Sequence, residues 1–274
     1  MDKLLIKKLK KNINKTPLKS SYNFTYKTQK YKLEDILNHI LIILKKGFVW
    51  RDLDLIKNIK WNTVYKHFKK LSKYNIFKDT YNDLLKLYFY KTPSKKLKII
   101  DTDTTVISNK NGSEKVGKNK LYKNKKVTKL SVITDNNKIP ILANIYSGNI
   151  YDSKILLDQL QNNQFIINNI LIKKIKFIVA DKGYDSKQLK EFIKNKYNSI
   201  LITPQNRRNI KNPLLIRSLT PEYKKMYNNR VKIENFFGTL KRSFKRITER
   251  YDKKSYIFES FIFFAFCNLI IKHL

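Results

Sequence analysis

The sequence predicts a mixed β-sheet covered by helices, preceded by a small all-helical domain. Three observations carry this. Across residues 33–90 apolar side chains recur every three or four positions, the period of a helix. After Pro93 the pattern changes to short apolar runs bounded by turn residues, which read as strands. From Lys176 onward strand and helix alternate, the order in which helices come to cover an open sheet.

Residues 1–30 are basic and show no clear periodicity, so a flexible arm is expected there. Residues 31–92 form the expected helical domain. Its first helix is carried by Leu33, Ile36, Leu37, Ile40, Leu41 and Leu44, and Gly47 ends it. Shorter helices follow over 53–59, 62–71 and 81–88, with Trp50, Trp61, Tyr65 and Phe68 available to seal a core. Lys66, Lys69, Lys70 and Lys73 give one of them a basic face, as in a helix-turn-helix module that binds DNA. The stretch 91–96, with Pro93 as breaker, reads as a linker.

The remaining domain spans 93–274. Strands are expected over 97–107, 127–134 and 141–146, with turns at 135–138 and Pro140. A helix over 153–161 is followed by a strand over 176–180, a helix over 186–195 and a strand over 199–203. A basic loop, 204–220, leads into a long helix that contains Glu234. The run 257–271 is very apolar but carries Glu259 and Asn268 and is short for a bilayer, so it reads as a buried core helix and no membrane partner is expected.

The 59 Lys and Arg against 21 Asp and Glu give a net charge of +38, which calls for a polyanionic partner, nucleic acid first. The chain is rich in residues with A/T-rich codons, lysine among them, so the arginines are the cleaner signal. Seven of the eight lie between Arg207 and Arg250, where guanidinium geometry suits bidentate phosphate contacts. The single cysteine, Cys267, excludes an internal disulfide and a multi-cysteine zinc site. His39, His67 and His273 lie far from any strand-end Ser or Cys, and six glycines leave no phosphate-cradling loop. No secretion signal is visible, so an intracellular location with DNA is expected.

Carboxylates are scarce, so their positions are informative. Asp101 and Asp103 alternate onto one face of the first strand. Asp181 ends an apolar strand just before Gly183, where open sheets place ligand-binding groups. If the two strands are neighbours, Asp103 and Asp181 converge, with Glu234 reaching them from the covering helix. On that helix, at about 100° per residue, Tyr227, Arg230, Glu234 and Lys241 share a polar stripe roughly 60° wide. Ile233, Phe237, Leu240, Phe244 and Ile247 form the adjoining apolar face. Three oxygen-donor carboxylates inside a basic rim suit hard divalent cations and phosphate. An Arg230–Glu234 ion pair on a solvated helix face is the plainer reading of the same spacing.

These blocks resemble the DDE transposases of bacterial insertion sequences, in the branch marked by a Tyr-Arg-Glu-Lys signature. Tyr227, Arg230, Glu234 and Lys241 meet that signature in full. Val179-Ala-Asp181-Lys-Gly-Tyr-Asp-Ser186 is similar to the second-aspartate block, and Asp103-Thr-Thr to the first, which favours Asp103 over Asp101. Gly148-Asn149 with Asp152-Ser, Arg250-Tyr-Asp, and Gly47 with Trp50-Arg-Asp-Leu are similar to further family segments, in the right order over about residues 33–270.

The resemblance implies an RNase H-like fold and cleavage at transposon ends to free a 3′-hydroxyl, which then attacks target DNA. It implies Asp103, Asp181 and Glu234 as catalytic metal ligands for Mg²⁺, with Mn²⁺ able to replace it, as two ions. Tyr227, Arg230 and Lys241 are implied as DNA-binding residues, and double-stranded DNA and a second copy of the chain as partners. Two other readings stay open. One is a transposase-derived protein that binds DNA without moving it; the other is a metal-dependent nuclease of the same fold without strand transfer.

Overall fold

The computed structural model describes residues 1–22, 31–55, 59–92, 98–163, 175–207 and 218–274. The chain forms two compact units that do not follow chain order. A helical unit gathers residues 1–91, 108–114 and 240–274, and a sheet unit gathers 92–107 and 115–239.

The helical unit begins with α1, Lys3–Asn14, where a flexible arm is expected from the sequence. The Asp2 carboxylate caps it, accepting from the amides of Leu4 and Leu5. Leu5, Leu9 and Ile13 are fully buried at four-residue spacing. The apolar stripe is one residue wide between lysines, too narrow to stand out as a period. Asn12 fixes α1 by donating to the Thr80 hydroxyl and the Asp83 carboxylate, each at 3.2 Å. Residues 23–30 of the expected arm lie outside the described residues.

Helix α2, Leu33–Lys46, ends at Gly47 in the left-handed region with φ 75°. A side chain there would also meet Lys245 Cβ at 2.9 Å, so glycine is required twice over. A 3-10 turn, Trp50–Leu55, stands where a helix over 53–59 is expected, and 56–58 fall outside the described residues. Helices α3, Trp61–Lys73, and α4, Ile76–Lys91, follow. Phe68 of α3 and Phe77 of α4 pack against Phe261 and Phe264 with ring centroids 4.4 and 5.0 Å apart. Those two partners belong to the last α-helix of the chain, Ser255–Ile270. That helix is apolar all round and mostly buried, as a core helix should be.

The sheet unit is built on β1, Ile99–Asn109, and β3, Lys125–Asp135. The short β2, Gly117–Asn119, and β4, Pro140–Ser147, pair antiparallel with β3. On the other side β1 pairs parallel with β5, Phe177–Val179, which pairs parallel with β6, Ile200–Ile202. The path β4-β3-β1-β5-β6 is the strand order of an RNase H-like sheet. Helix α5, Asp152–Asn162, and helix α6, Lys187–Tyr197, make the crossovers. Ser186 caps α6 and Asn198, at φ 50°, closes it. Within the helical unit the last residues of β1 pair with β7, Glu249–Arg250.

The long helix expected around Glu234 is two helices. Helix α7, Pro221–Asn228, is capped by Thr220, and α8, Val231–Ser243, starts after a turn at Asn229 and Arg230. The apolar face is buried as expected, at Ile233, Phe237, Leu240, Phe244 and Ile247. The final helix, Ser255–Ile270, is therefore α9. The expected linker falls largely in 93–97 and most of the basic loop in 208–217, outside the described residues.

Candidate active site

Register brings the two aspartates together. In the parallel β1–β5 pair Asp101 lies across from Val179. Two residues further on, the same register sets Asp103 beside Asp181. Asp181 caps the 3-10 turn Lys182–Tyr184, accepting from the Lys182 amide at 2.6 Å. The Thr203 hydroxyl holds its backbone by donating to the Asp181 carbonyl at 2.7 Å. Asp103 accepts from the Thr104 amide at 2.8 Å.

The turn between α7 and α8 delivers Arg230 to these carboxylates. Its Nη1 stands 3.6 Å from Asp103 Oδ2 and 3.9 Å from Asp181 Oδ1. Its Nη2 donates to Glu234 Oε1 at 2.5 Å. Three carboxylates from a strand, a strand end and a helix thus share one guanidinium. Arg230 keeps its i,i+4 ion pair with Glu234 while Nη1 faces the two aspartates. Tyr227, on the last turn of α7, donates its hydroxyl to Asp181 Oδ1 at 3.5 Å, and the guanidinium carbon lies 5.9 Å from its ring centre. Lys241 follows on α8 in the part of the chain that packs with the helical unit, and burial lowers its ammonium pKa. So Asp103, Asp181, Glu234, Tyr227 and Arg230 form one cluster.

The electrostatics of the cluster are uneven. Burial raises the Asp103 pKa to about 6, and Asp181 and Asp152 push the same way against Arg230 and the Thr104 amide. Burial opposes the charge of Arg230, but Asp103, Glu234 and Asp181 outweigh it and raise its pKa. Burial likewise raises the Tyr227 pKa, with Asp181 adding to it.

Asp101 differs sharply from Asp103. It is fully buried and neither carboxyl oxygen has a hydrogen-bond partner. Burial raises its pKa from 3.8 to about 7, against the pull of Lys232 and Arg230. The native state therefore holds a proton that the unfolded chain releases between those values. Stability falls as pH rises through that window, and the full cost is present above it. We predict that Asp101→Asn stabilises the metal-free protein at pH 8 by an amount on the order of a few kcal/mol, and by less at pH 5. Thermal melts at the two pH values check this; a variant less stable than the parent at pH 8 contradicts it.

A second group of residues supports the cluster and is only partly legible in the sequence. Asp152 accepts from the Thr104 hydroxyl at 2.9 Å and from Lys129 Nζ at 2.7 Å. Lys129, buried within β3, also donates to the Ile150 carbonyl. A Cβ on Gly183 would stand 3.4 Å from Asp152 Oδ2, so Asp152 lies between the strand of Asp103 and the turn of Asp181. Asp152 stands in a segment already likened to the family, but Lys129 carries no local sign, since β3 has lysines at 125 and 126 as well.

Among the described residues no three carboxylate, His or Cys side chains stand close enough to ligate one ion as they are arranged. The cation they share here is Arg230. Their chemistry still fits a hard divalent ion, because every donor is an oxygen and two come from adjacent strands.

Comparison with known proteins places residues 94–269 in the transposase DDE domain family. No curated protein matches the chain. Among solved structures it is similar to the Mos1 transposase paired-end complex with left transposon end, at 11% identity over 83% of this chain and 82% of that one, TM-score 0.28. It is also similar to the Mos1 mariner paired end complex with Mn, at 11% identity over 90% and 80%, TM-score 0.29. Likenesses this slight carry no argument.

Proposed function

The chain belongs to the transposase DDE domain family, and from that membership and the cluster around Arg230 we propose that it cleaves DNA at transposon ends and joins the freed 3′-hydroxyl to target DNA. The observation that carries this reading is the meeting of Asp103, Asp181 and Glu234 on one cation. In it, Asp103 and Asp181 hold divalent metal, Mg²⁺ or Mn²⁺ as two ions, with Glu234 as third ligand. When bound, the metal supplies activation of the attacking oxygen and charge stabilisation of the leaving one in an in-line displacement.

The protein's own residues do the rest. Burial raises the Asp103 pKa, so a bound cation would favour its ionised form. Arg230 offsets the charge of the three carboxylates, and its guanidinium fork equally suits a DNA phosphate. Tyr227 and Lys241 contact the phosphates beside the cut. The basic groove of α3, lined by Lys66, Lys69, Lys70 and Lys73, also binds duplex DNA, and two copies act across two ends.

Arg230→Gln separates these roles. It is expected to raise apparent Mn²⁺ affinity, since the competing cation is gone. It should also weaken DNA binding and lower the slope of log affinity against log salt by about 1. Lower metal affinity, or an unchanged salt slope, would count against the assigned role. The whole reading is tested by incubating the full chain with Mg²⁺ and DNA bearing the element's ends. Nicking followed by strand joining supports it. Binding without nicking points to a transposase-derived DNA-binding protein, and nicking without joining to a nuclease.

A further inference from the structure

The two oxygens of Asp103 are not equivalent. Oδ1 accepts from the Thr104 amide at 2.8 Å, while Oδ2 stands 3.6 Å from Arg230 Nη1. One oxygen is held by the backbone, and the other faces the cation shared with Asp181 and Glu234. The Thr104 amide therefore sets how this carboxylate is presented.

Thr104 is itself fixed from outside its strand. Its hydroxyl donates to Asp152 Oδ1 at 2.9 Å. Asp152 is the first residue of α5, where the positive end of the helix favours a carboxylate. The same Oδ1 accepts from Lys129 Nζ at 2.7 Å, and Lys129 also donates to the Ile150 carbonyl at 2.9 Å. The side chains of Lys129 and Asp152 are 10% and 29% exposed, against 91% and 60% for the surface pair Lys187 and Glu191. The Lys129–Asp152 pair is therefore the far less screened of the two. Strands β1 and β3 and helix α5 thus meet on one oxygen atom.

Asp152 differs from the neighbouring acids in how its charge is met. It has an ammonium of its own within hydrogen-bond distance, whereas Asp103, Asp181 and Glu234 share a single guanidinium. We propose that Asp152 is a positioning residue: through the Thr104 hydroxyl it holds the Thr104 amide on Asp103 Oδ1, so that Oδ2 is presented to the divalent ion. Lys129 neutralises Asp152 and keeps it as a tether rather than a metal ligand. Losing a group that orients a metal ligand typically costs about 10- to 100-fold in metal affinity. The proposal rests on Asp103, Asp181 and Glu234 holding metal, and it adds three residues that touch none.

The test is Mn²⁺ affinity, read by electron paramagnetic resonance on the full chain bound to DNA. Thr104→Val keeps the shape of the side chain and loses the hydroxyl; it should weaken Mn²⁺ binding about 10- to 100-fold. Thr104→Ser restores the hydroxyl and should bind like the parent. Lys129→Met with Asp152→Ala removes the tether without leaving an ammonium unpaired, and should lose as much as Thr104→Val. Adding Thr104→Val to that pair should cost little more, because both act through one hydrogen bond. Metal-free DNA affinity should stay level across the set, whereas a general loss of structure would lower it together with Mn²⁺ binding. Unchanged Mn²⁺ affinity in Thr104→Val, losses that add in the combined variant, or a parallel fall in DNA affinity overturns the proposal. So does a loss without Asp152 as complete as in Asp103→Asn, which makes Asp152 a ligand. If the Lys129 and Asp152 variant fails to fold, the contrast between Thr104→Val and Thr104→Ser decides. Asp103→Asn is measured alongside. Mn²⁺ kept by that variant sinks the carboxylate site itself, and Mn²⁺ lost there but bound normally by Thr104→Val sinks only this proposal.

Discussion

Glu234→Gln, Asp103→Asn and Asp181→Asn will each reduce Mg²⁺-dependent nicking on the order of 10³-fold or more while leaving DNA affinity equal or higher. Metal stabilisation of a phosphoryl transition state is worth several kcal/mol, and every 1.4 kcal/mol or so is tenfold in rate. In the proposed site the three residues share the metal, so losing any one disables the set rather than a third of it. Affinity should not fall, because each substitution removes a negative charge from a surface that must approach phosphates. Gel-shift and nicking assays on the same DNA separate the two effects. A Glu234→Gln enzyme that still nicks near the parent rate removes Glu234 from the site.

Arg246→Ala will destabilise the protein by about 3–5 kcal/mol, the range for breaking one side of a buried ion pair. Arg246 is 2% exposed and Asp252 7%. The guanidinium donates to both carboxylate oxygens, at 3.2 and 3.3 Å, and to the Phe48 carbonyl at 3.3 Å. It also stacks between Tyr251 and Phe261. Burial already raises the Asp252 pKa, and Arg246 is the main force holding it down. Without Arg246 that pKa rises further, so the native state binds a proton the unfolded state does not. The loss is then smaller at pH 5 than at pH 8. Urea unfolding at both values checks size and sign. The double variant Arg246→Met, Asp252→Leu should recover most of the loss, because it leaves no buried charge unpaired.

Local pattern shows in the sequence wherever one face is apolar and the other polar. Helices α2, α5 and α6 and the buried face of α8 are all of this kind, whereas the strands show as short apolar runs between turn residues. Helix α1 escapes notice because its apolar stripe is only Leu5, Leu9 and Ile13. The break at Asn229 and Arg230 escapes because it contains neither Gly nor Pro, and the apolar period runs on across it. Partnerships between distant segments leave no local trace. Asp152 with Lys129, and the packing of α3 and α4 on α9, belong to that class. The carboxylates themselves were legible because acids are rare in so basic a chain. What the sequence could not show is that Arg230 faces all three of them, since that depends on how this turn packs against the ends of β1 and β5.

Manganese bound to the DNA complex, followed by electron paramagnetic resonance, tests the central assignment most directly. The account predicts that Asp103→Asn, Asp181→Asn and Glu234→Gln each lose bound Mn²⁺, and that Asp101→Asn keeps it. Retention of Mn²⁺ by all three variants, or equal loss in Asp101→Asn, would contradict it.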